Sequence, residues 1–540
     1  IERDTQKRSL EPVYRASGSL SQSIIKAAMA QALKYKRLDK DNLPADFIEK
    51  HKLCDASFAY NNIHFPTDSE ALELARRRIV FEEFLMFQIA AMYAGGRRRR
   101  FEGSISAHEA ELSEFEGLLP FKLTTAQKTV IEEIYGDLSG GMAMNRLVQG
   151  DVGCGKTAVA MAAMYACAKS GYQCAFMAPT EILARQHFDT VCRTFPQFKA
   201  VLLVSGMTQP QRAQALNDIA GDADIVIGTH ALIQQGIEFR RLGLAIADEQ
   251  HRFGVRQRAE LGAKGQSPHL LVMSATPIPR TLALMLYGDL DISVIEGMPP
   301  GRKRVKTHIV PEHKRQDMYC FIMDRIREGL QAYIVCPMIE KNDDFDMRSA
   351  EEVYDEVSGG ALKEARVELL HGRLGVKQRQ AAIDAFSRGE IDALVSTTVI
   401  EVGVDVPNAC VMAVENADRF GLAQLHQLRG RVGRGKEQAY FFMAPQSDGE
   451  KTRERLNTLC ATSDGFEIAR KDLEMRGPGE FLGSRQHGDA GFKTGSLARD
   501  MEVLNEAREA AKEVLSQNRR GLIEAALEKY KNVFSAVSMN

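Results

Sequence analysis

No stretch of about eighteen consecutive apolar residues occurs in the 540-residue chain, which argues against an ordinary membrane-spanning helix. CxxC pairs are also lacking. The nine cysteines (Cys54, Cys154, Cys167, Cys174, Cys192, Cys320, Cys336, Cys410 and Cys460) are scattered and odd in number, a pattern that suits reduced core thiols in a cytosol better than disulfides or zinc. There is no excess of charge of one sign either: 70 basic residues stand against 72 acidic ones. Net charge therefore announces no polyanionic partner, and local charge must carry that argument. The opening "IERDTQKRSL" has neither the apolar core of a secretory signal nor the acid-free composition of a transit peptide. It does not begin with methionine. We expect a soluble chain that is a piece of a longer protein.

What is present is too long for one core, so two or more domains are expected. Residues 1 to about 105 alternate helical patterns such as "SQSIIKAAMAQALKY" with loops and contain no convincing strand. From about 106 to 450 short apolar runs alternate with helical stretches: "RLVQ", "CAFMAP", "AVLLVSG", "DIVIGT", "LAIADE" and "LLVMSAT", then "AYIVCP", "VELLHG", "DALVSTT", "CVMAVEN" and "AYFFMAP". Runs of that length between helices read as parallel strands buried on both faces, enough for two sheets. The segment "EGMPPGRKRVKT", with two prolines and two glycines, is the best linker between them. The arginine run Arg97 to Arg100 reads equally well as a solvated helix end or as a phosphate contact.

Chemistry begins at "RLVQGDVGCGKTAVAMAAMYA". Gly150, Gly155, Lys156 and Thr157 fit G-x-x-x-x-G-K-[ST] between an apolar strand and a helical pattern. Glycines there let backbone N–H groups wrap phosphates at a helix N-terminus, Lys156 adds a point charge, and Thr157 can hold Mg²⁺. Asp151 and Gly153 complete the loop. In "LGLAIADEQHRFG", Asp248 and Glu249 end another apolar strand, where Asp248 would orient Mg²⁺ and Glu249 would accept a proton from the attacking water. His251 would relay between this pair and the "SAT" segment.

The segments "GDVGCGKT", "APTEILARQH", "IVIGTHALI", "DEQH", "SATPIPRTLAL", "STTVIEVGVDVPNA" and "QLHQLRGRVGRG" occur in this order over about 330 residues. Together they resemble a superfamily 2 helicase motor of the DExH kind. Within that superfamily, "DEQHRFGVRQR", "SATPIPRT" and "DGFEIARKDLEMRGPGEFLGSRQHG" are similar to the RecG family of bacterial branched-DNA translocases. The motor of the transcription-repair coupling factor Mfd is similar over the same motifs.

The resemblance implies an α/β fold of two tandem RecA-like parallel-sheet lobes, with an N-terminal helical region and a C-terminal helical hairpin plus loop. Boundaries are expected at 1–105, 106–298, 299–450 and 451–540. It implies that Gln127 reads the adenine edge with Phe121 stacking on it, and that Asp405 senses nucleotide. Arg431 and Arg434 become arginine fingers from the second lobe, supported by Gln427; the planar guanidinium fork suits phosphate oxygens. Thr180, Arg185, Thr229, His230, Thr397 and Thr398, each after an apolar strand, form the implied DNA track, where hydroxyls and cations hold phosphates without reading bases. Any one of these threonines is more often a helix cap.

Two helices in "EKTRERLNTLCATSDGFEIARKDLEMR", followed by a glycine-rich loop, match the family's translocation motif at Arg455, Arg476 and Gln486. Family members carry an OB-fold wedge ahead of the helical linker, and no such barrel pattern is seen here. The implied function is an ATP- and Mg²⁺-dependent DNA helicase and translocase acting on branched and duplex DNA in fork reversal, Holliday-junction processing and repair. We expect a cytoplasmic, bacterial, monomeric protein with single-stranded DNA-binding protein as a partner and no membrane. An Mfd-like motor, an RNA helicase and a non-catalytic DNA scaffold stay open as alternatives.

Overall fold

The computed structural model describes residues 10, 12–14, 21–35, 41–95, 105, 107, 109–234, 236–248, 264–265, 267–274, 290–298, 303–337, 349–397, 406–433, 435, 437–447, 449–476, 494–495 and 499–530. These fall into two compact units, one drawn from 1–97 and 476–539, the other from 98–280 and 290–475.

The larger unit holds two sheets, parallel throughout. The first contains β1 (Asn145–Gly150), β2 (Gln173–Met177), β3 (Ala200–Leu203), β4 (Ile225–Gly228), β5 (Leu242–Ala247), β6 (His269–Ser274) and β7 (Asp291–Ile295), in the order β3-β4-β2-β5-β6-β1-β7. The second contains β8 (Lys306–Ile309), β9 (Gln331–Val335), β10 (Val367–Leu370), β11 (Ala393–Ser396), β12 (Ala409–Glu415) and β13 (Tyr440–Ala444), in the order β10-β11-β9-β12-β13-β8.

The interior strands β2, β4, β5, β9, β11 and β12 read as near-continuous apolar runs because both of their faces are covered, whereas the edge strand β8, Lys-Thr-His-Ile, is half exposed and carries no such run. Alternate residues feed different cores. Phe176, Ile225, Ile227, Leu244 and Ile246 pack with the helices Thr125–Ser139 and Lys156–Lys169. Their neighbours Ala175, Met177, Val226, Ala245 and Ala247 pack with Ala215 and Ile219 of the helix Gln209–Ala220 on the opposite face. The second sheet repeats this division, with Tyr333, Val335, Met412 and Val414 on one side and Ala332, Ile334, Val411 and Ala413 on the other. Burying about 25 cal/mol per Å² on two faces makes each sheet a self-sufficient core.

In the first sheet, crossovers place β1 and β2 on opposite sides of β5 and β6, so that loops leaving their C-terminal ends diverge; such edges are where α/β sheets build sites.

The smaller unit is helical. The helix Ser69–Gly95 packs against Met501–Ser516 and Arg520–Lys529 from the far end of the chain. Arg76 grips Asp500 through two bonds of 2.6 and 2.7 Å. Arg78, 1% exposed, is satisfied by Glu82, Asp41 and the carbonyl of Cys54. The stretch expected as a single 451–540 segment is thus divided. Its first two helices, Glu450–Ala461 and Gly465–Arg476, send Leu456, Leu459 and Ile468 into the core of the second sheet. The later helices instead present Leu504, Ala507, Ala511 and Val514 as a buried stripe within the smaller unit.

No helix among the described residues is long and apolar enough to cross a membrane.

Candidate nucleotide site and nucleic-acid track

The loop between β1 and the helix Lys156–Lys169 needs its glycines. Gly153 and Gly155 have φ of 83° and 89°, the left-handed region that penalises a Cβ. A Cβ on Gly150 would meet Cys154 Sγ at 2.5 Å, and one on Gly155 would strike the Gln127 amide. The loop is therefore folded as a tight backbone cradle at a helix N-terminus, the form that receives phosphate. Lys156 Nζ donates to the carbonyls of Gly150 at 2.6 Å and Asp151 at 2.8 Å. Thr157, half-buried, is the second residue of the helix.

Gln127 lies beneath this loop. It closes a capping box with Thr124 at the start of Thr125–Ser139, its Oε1 accepting from Thr124 N at 2.8 Å. Its Nε2 donates to the Cys154 carbonyl at 2.8 Å. Phe121, 51% exposed, stands nearby in sequence with its ring open to solvent.

Asp248 follows β5, its backbone N–H bonded to the Met177 carbonyl on β2. His187 Nε2, its ring against Phe176, lies 3.4 Å from Asp248 Oδ2. Thr157 and Asp248 offer hard oxygen ligands of the kind Mg²⁺ takes. Among the described residues no group of three or more His, Cys, Asp or Glu could cage a metal. Two such side-chain oxygens suit an ion whose other ligands are substrate phosphates.

The second lobe reaches the phosphate loop directly. Its helix Leu422–Arg429 places His426 Nε2 2.6 Å from Asp151 Oδ1. The next residue after that helix, Gly430, abuts Val152 so closely that a Cβ would come within 2.6 Å of the valine's. Burial would raise the Asp151 pKa, but the hydrogen bonds from His426 and the Val152 N–H and the nearby charge of Lys156 together hold it below the usual carboxylate range. Arg429 bonds His426 Nδ1 at 2.8 Å and the carbonyls of Leu459 and Thr462 at 2.6 and 3.0 Å. Burial brings its pKa down to about 10. Gln427 and Arg431 on the same segment are buried. A cavity of about 700 Å³ opens here, walled by Asp151, Glu296, Lys303, Arg304, Arg429 and Phe466 among others.

Of the residues expected in the nucleotide site, Gln127, Gly150, Asp151, Gly153, Gly155, Lys156 and Thr157 come together around one loop. Glu249, His251, Asp405 and Arg434 lie outside the described residues, as do Thr398, Gln486, the Arg476 side chain and the run Arg97 to Arg100. His426, Arg429 and Gly430 were not expected. All three belong to "QLHQLRGRVGR", where the i, i+3 spacing of His426 and Arg429 on one helix face was the signal that could have found them.

Of the expected DNA-track residues, Thr180, Thr229, His230 and Thr397 follow the C-terminal ends of strands. Thr180, after β2, caps the helix Glu181–Thr194 by accepting from Leu183 N at 3.4 Å, and Arg185 pairs with Glu181 on that helix. Thr229 and His230 follow β4, the neighbour of β2, so these four share one side of the first sheet, across β5 and β6 from the phosphate loop. Thr397 follows β11 in the second sheet and is buried. Arg455, in the first hairpin helix, donates to the Asp418 carbonyl at 2.6 Å and so ties the hairpin to the second lobe.

Comparison with known proteins agrees with this architecture. Residues 124–285 match the DEAD/DEAH box helicase family, 313–436 the helicase conserved C-terminal domain, and 462–528 the C-terminal part of domain 3 of ATP-dependent DNA helicase RecG. The chain is 46% identical to the ATP-dependent DNA helicase RecG of Thermotoga maritima over 94% of its own length and 66% of the relative's. It is 44% identical to that of Bacillus subtilis over 95% and 76%. A solved structure of RecG bound to a three-way DNA junction superposes with a TM-score of 0.73 at 43% identity, over 92% of this chain and 66% of that one. The chain thus spans just under two thirds of the Thermotoga protein. Two RecA-like lobes joined to a RecG-type hairpin, at this level of identity, establish that the chain belongs to the RecG family of ATP-dependent DNA helicases.

Proposed function

We propose that this chain is an ATP-driven motor that translocates on duplex DNA and unwinds branched DNA, in the fork-reversal and junction-processing steps of recombination and repair. The observation that carries this reading is the contact of the second lobe with the phosphate loop, His426 on Asp151 and Gly430 on Val152. A nucleotide loop shared between two lobes can turn phosphate chemistry into relative motion.

The roles are those that the resemblance to RecG implies for these positions, and the phosphate loop supports them. Lys156 exchanges its two loop carbonyls for phosphate oxygens, which the backbone N–H groups of the cradle also receive. Gln127 and Phe121 take the adenine, and Asp405 senses the bound state. Thr157 and Asp248 would hold Mg²⁺, which when bound would offset phosphate charge. Glu249 accepts the proton of the attacking water. Arg431 and Arg434, positioned by Gln427, offset charge on the transferred phosphoryl group. Thr180, Arg185, Thr229, His230, Thr397 and Thr398 hold DNA phosphates, and Arg455, Arg476 and Gln486 couple the hairpin and its loop to lobe motion. The same reading has the protein monomeric, in the bacterial cytoplasm, with single-stranded DNA-binding protein as a partner.

The three-way junction bound by the RecG structure supports branched DNA as substrate. ATP hydrolysis measured alone, then with forked, linear duplex and single-stranded DNA, tests the proposal. Stimulation that is strongest with the fork is expected. A rate indifferent to every DNA would overturn it.

A further inference from the structure

His426 is 4% exposed, and both of its ring nitrogens are engaged: Nε2 with Asp151 at 2.6 Å, Nδ1 with Arg429 at 2.8 Å. A guanidinium carries N–H groups and no acceptor. Nδ1 must therefore accept, the ring hydrogen sits on Nε2, and Nε2 donates to the Asp151 carboxylate. Arg429 thus fixes the tautomer as well as the ring orientation, as partners of functional imidazoles do elsewhere.

The chain of bonds continues on both sides. Arg429 Nη1 donates to the carbonyls of Leu459 and Thr462. Leu459 lies in the last turn of Glu450–Ala461, where carbonyls have no partner within the helix. At the other end, Asp151 is held at two points, its carboxylate by His426 and its carbonyl by Lys156 Nζ at 2.8 Å. The root of the hairpin is thereby joined to the phosphate-binding lysine through three buried or nearly buried side chains and one backbone carbonyl. Little water competes with these bonds, so a shift at one end is felt at the other.

We infer that His426 is a positioning residue, a neutral donor–acceptor relay that reports the hairpin's position, and hence DNA engagement, to the phosphate loop. This rests on the ATP-driven reading above. The relay needs a side chain that donates toward Asp151 and accepts from Arg429. Glutamine meets both needs through its amide N–H and carbonyl. Alanine meets neither, and lysine donates at both ends and so opposes Arg429.

The test compares His426→Gln, His426→Ala and His426→Lys by the ratio of kcat for ATP hydrolysis with forked duplex DNA to kcat without it, with thermal unfolding followed in parallel. His426→Gln is expected to keep the ratio within about twofold, while His426→Ala and His426→Lys lose roughly tenfold, the range of residues that carry coupling without touching ligand. If His426→Ala does not fold, His426→Lys carries the comparison. Equal losses in the glutamine and lysine variants, a ratio unchanged in all three, or a parallel fall with and without DNA would each overturn the relay. Absence of DNA stimulation in the unsubstituted chain would instead defeat the ATP-driven reading, and the relay with it.

Discussion

The ammonium of Lys156 lies 2.6 Å from the carbonyl oxygen of Gly150, the last residue of the strand that leads into its own loop. The lysine is 9% exposed and already occupies the cradle, with the Asp151 carbonyl as its second acceptor. Phosphate must replace both bonds with stronger charge-assisted ones. Lys156→Ala should therefore lose most nucleotide affinity and lower hydrolysis by about 10²–10³-fold, as when one preorganised electrostatic contact is removed. Lys156→Arg should not rescue it, because the planar fork does not substitute for a compact ammonium in a closed loop. Isothermal titration with ATP and steady-state hydrolysis check both; near-normal affinity in Lys156→Ala would contradict the assignment.

Gln127 has two jobs that can be separated. Its Oε1 serves the capping box and its Nε2 holds the Cys154 carbonyl. Gln127→Ala should destabilise the protein by about 1–2 kcal/mol through the lost cap and the unsatisfied buried carbonyl. Thr124→Ala should cost a similar amount through the cap alone. Preference for ATP over GTP should fall in Gln127→Ala and persist in Thr124→Ala. Denaturant unfolding and competition between the two nucleotides give the readouts, and equal preference in both variants would reduce Gln127 to a structural residue.

The buried ring of His269, the first residue of the interior strand β6, accepts from Met144 N at 3.0 Å. Burial pushes its pKa down to about 4 from the ordinary 6.5. Between those values the unfolded chain binds the proton and the folded chain does not. Its contribution is present in full above pH 6.5 and is lost as pH falls toward 4, by about 3 kcal/mol at most. Urea unfolding between pH 7 and 4 should show a falling midpoint for the natural chain and a flatter one for His269→Asn. Identical slopes would remove His269 as the cause.

Arg455 donates to the Asp418 carbonyl, a contact remote from the phosphate loop in sequence and chemistry. Arg455→Ala should keep appreciable ATP hydrolysis and reduce strand displacement per ATP consumed. Parallel hydrolysis and displacement assays on one DNA measure that ratio, and an unchanged value would make the contact a packing detail.

The sequence displayed much of this because the interior strands are buried on both faces and so appear as apolar runs, while the half-exposed edge strand β8, Lys-Thr-His-Ile, showed no such run. The phosphate loop was legible for a related reason, since only glycine tolerates the conformations at Gly153 and Gly155. Non-local pairings were not legible. Nothing near Arg76 in the chain announces Asp500, 424 residues away, and the amphipathic stripe of Met501–Ser516 says that it is covered without saying by what. His426 was hidden differently. It sits inside a recognisable motif, but its meaning depends on Asp151, which approaches only when two lobes have folded.

The most direct test of the motor account is displacement of a third strand from a triplex flanking a forked duplex, measured for the unsubstituted chain with ATP and with a non-hydrolysable analogue. The account predicts displacement with ATP alone, in proportion to the ATP hydrolysed. Vigorous DNA-stimulated hydrolysis with no displacement at any protein concentration would contradict it.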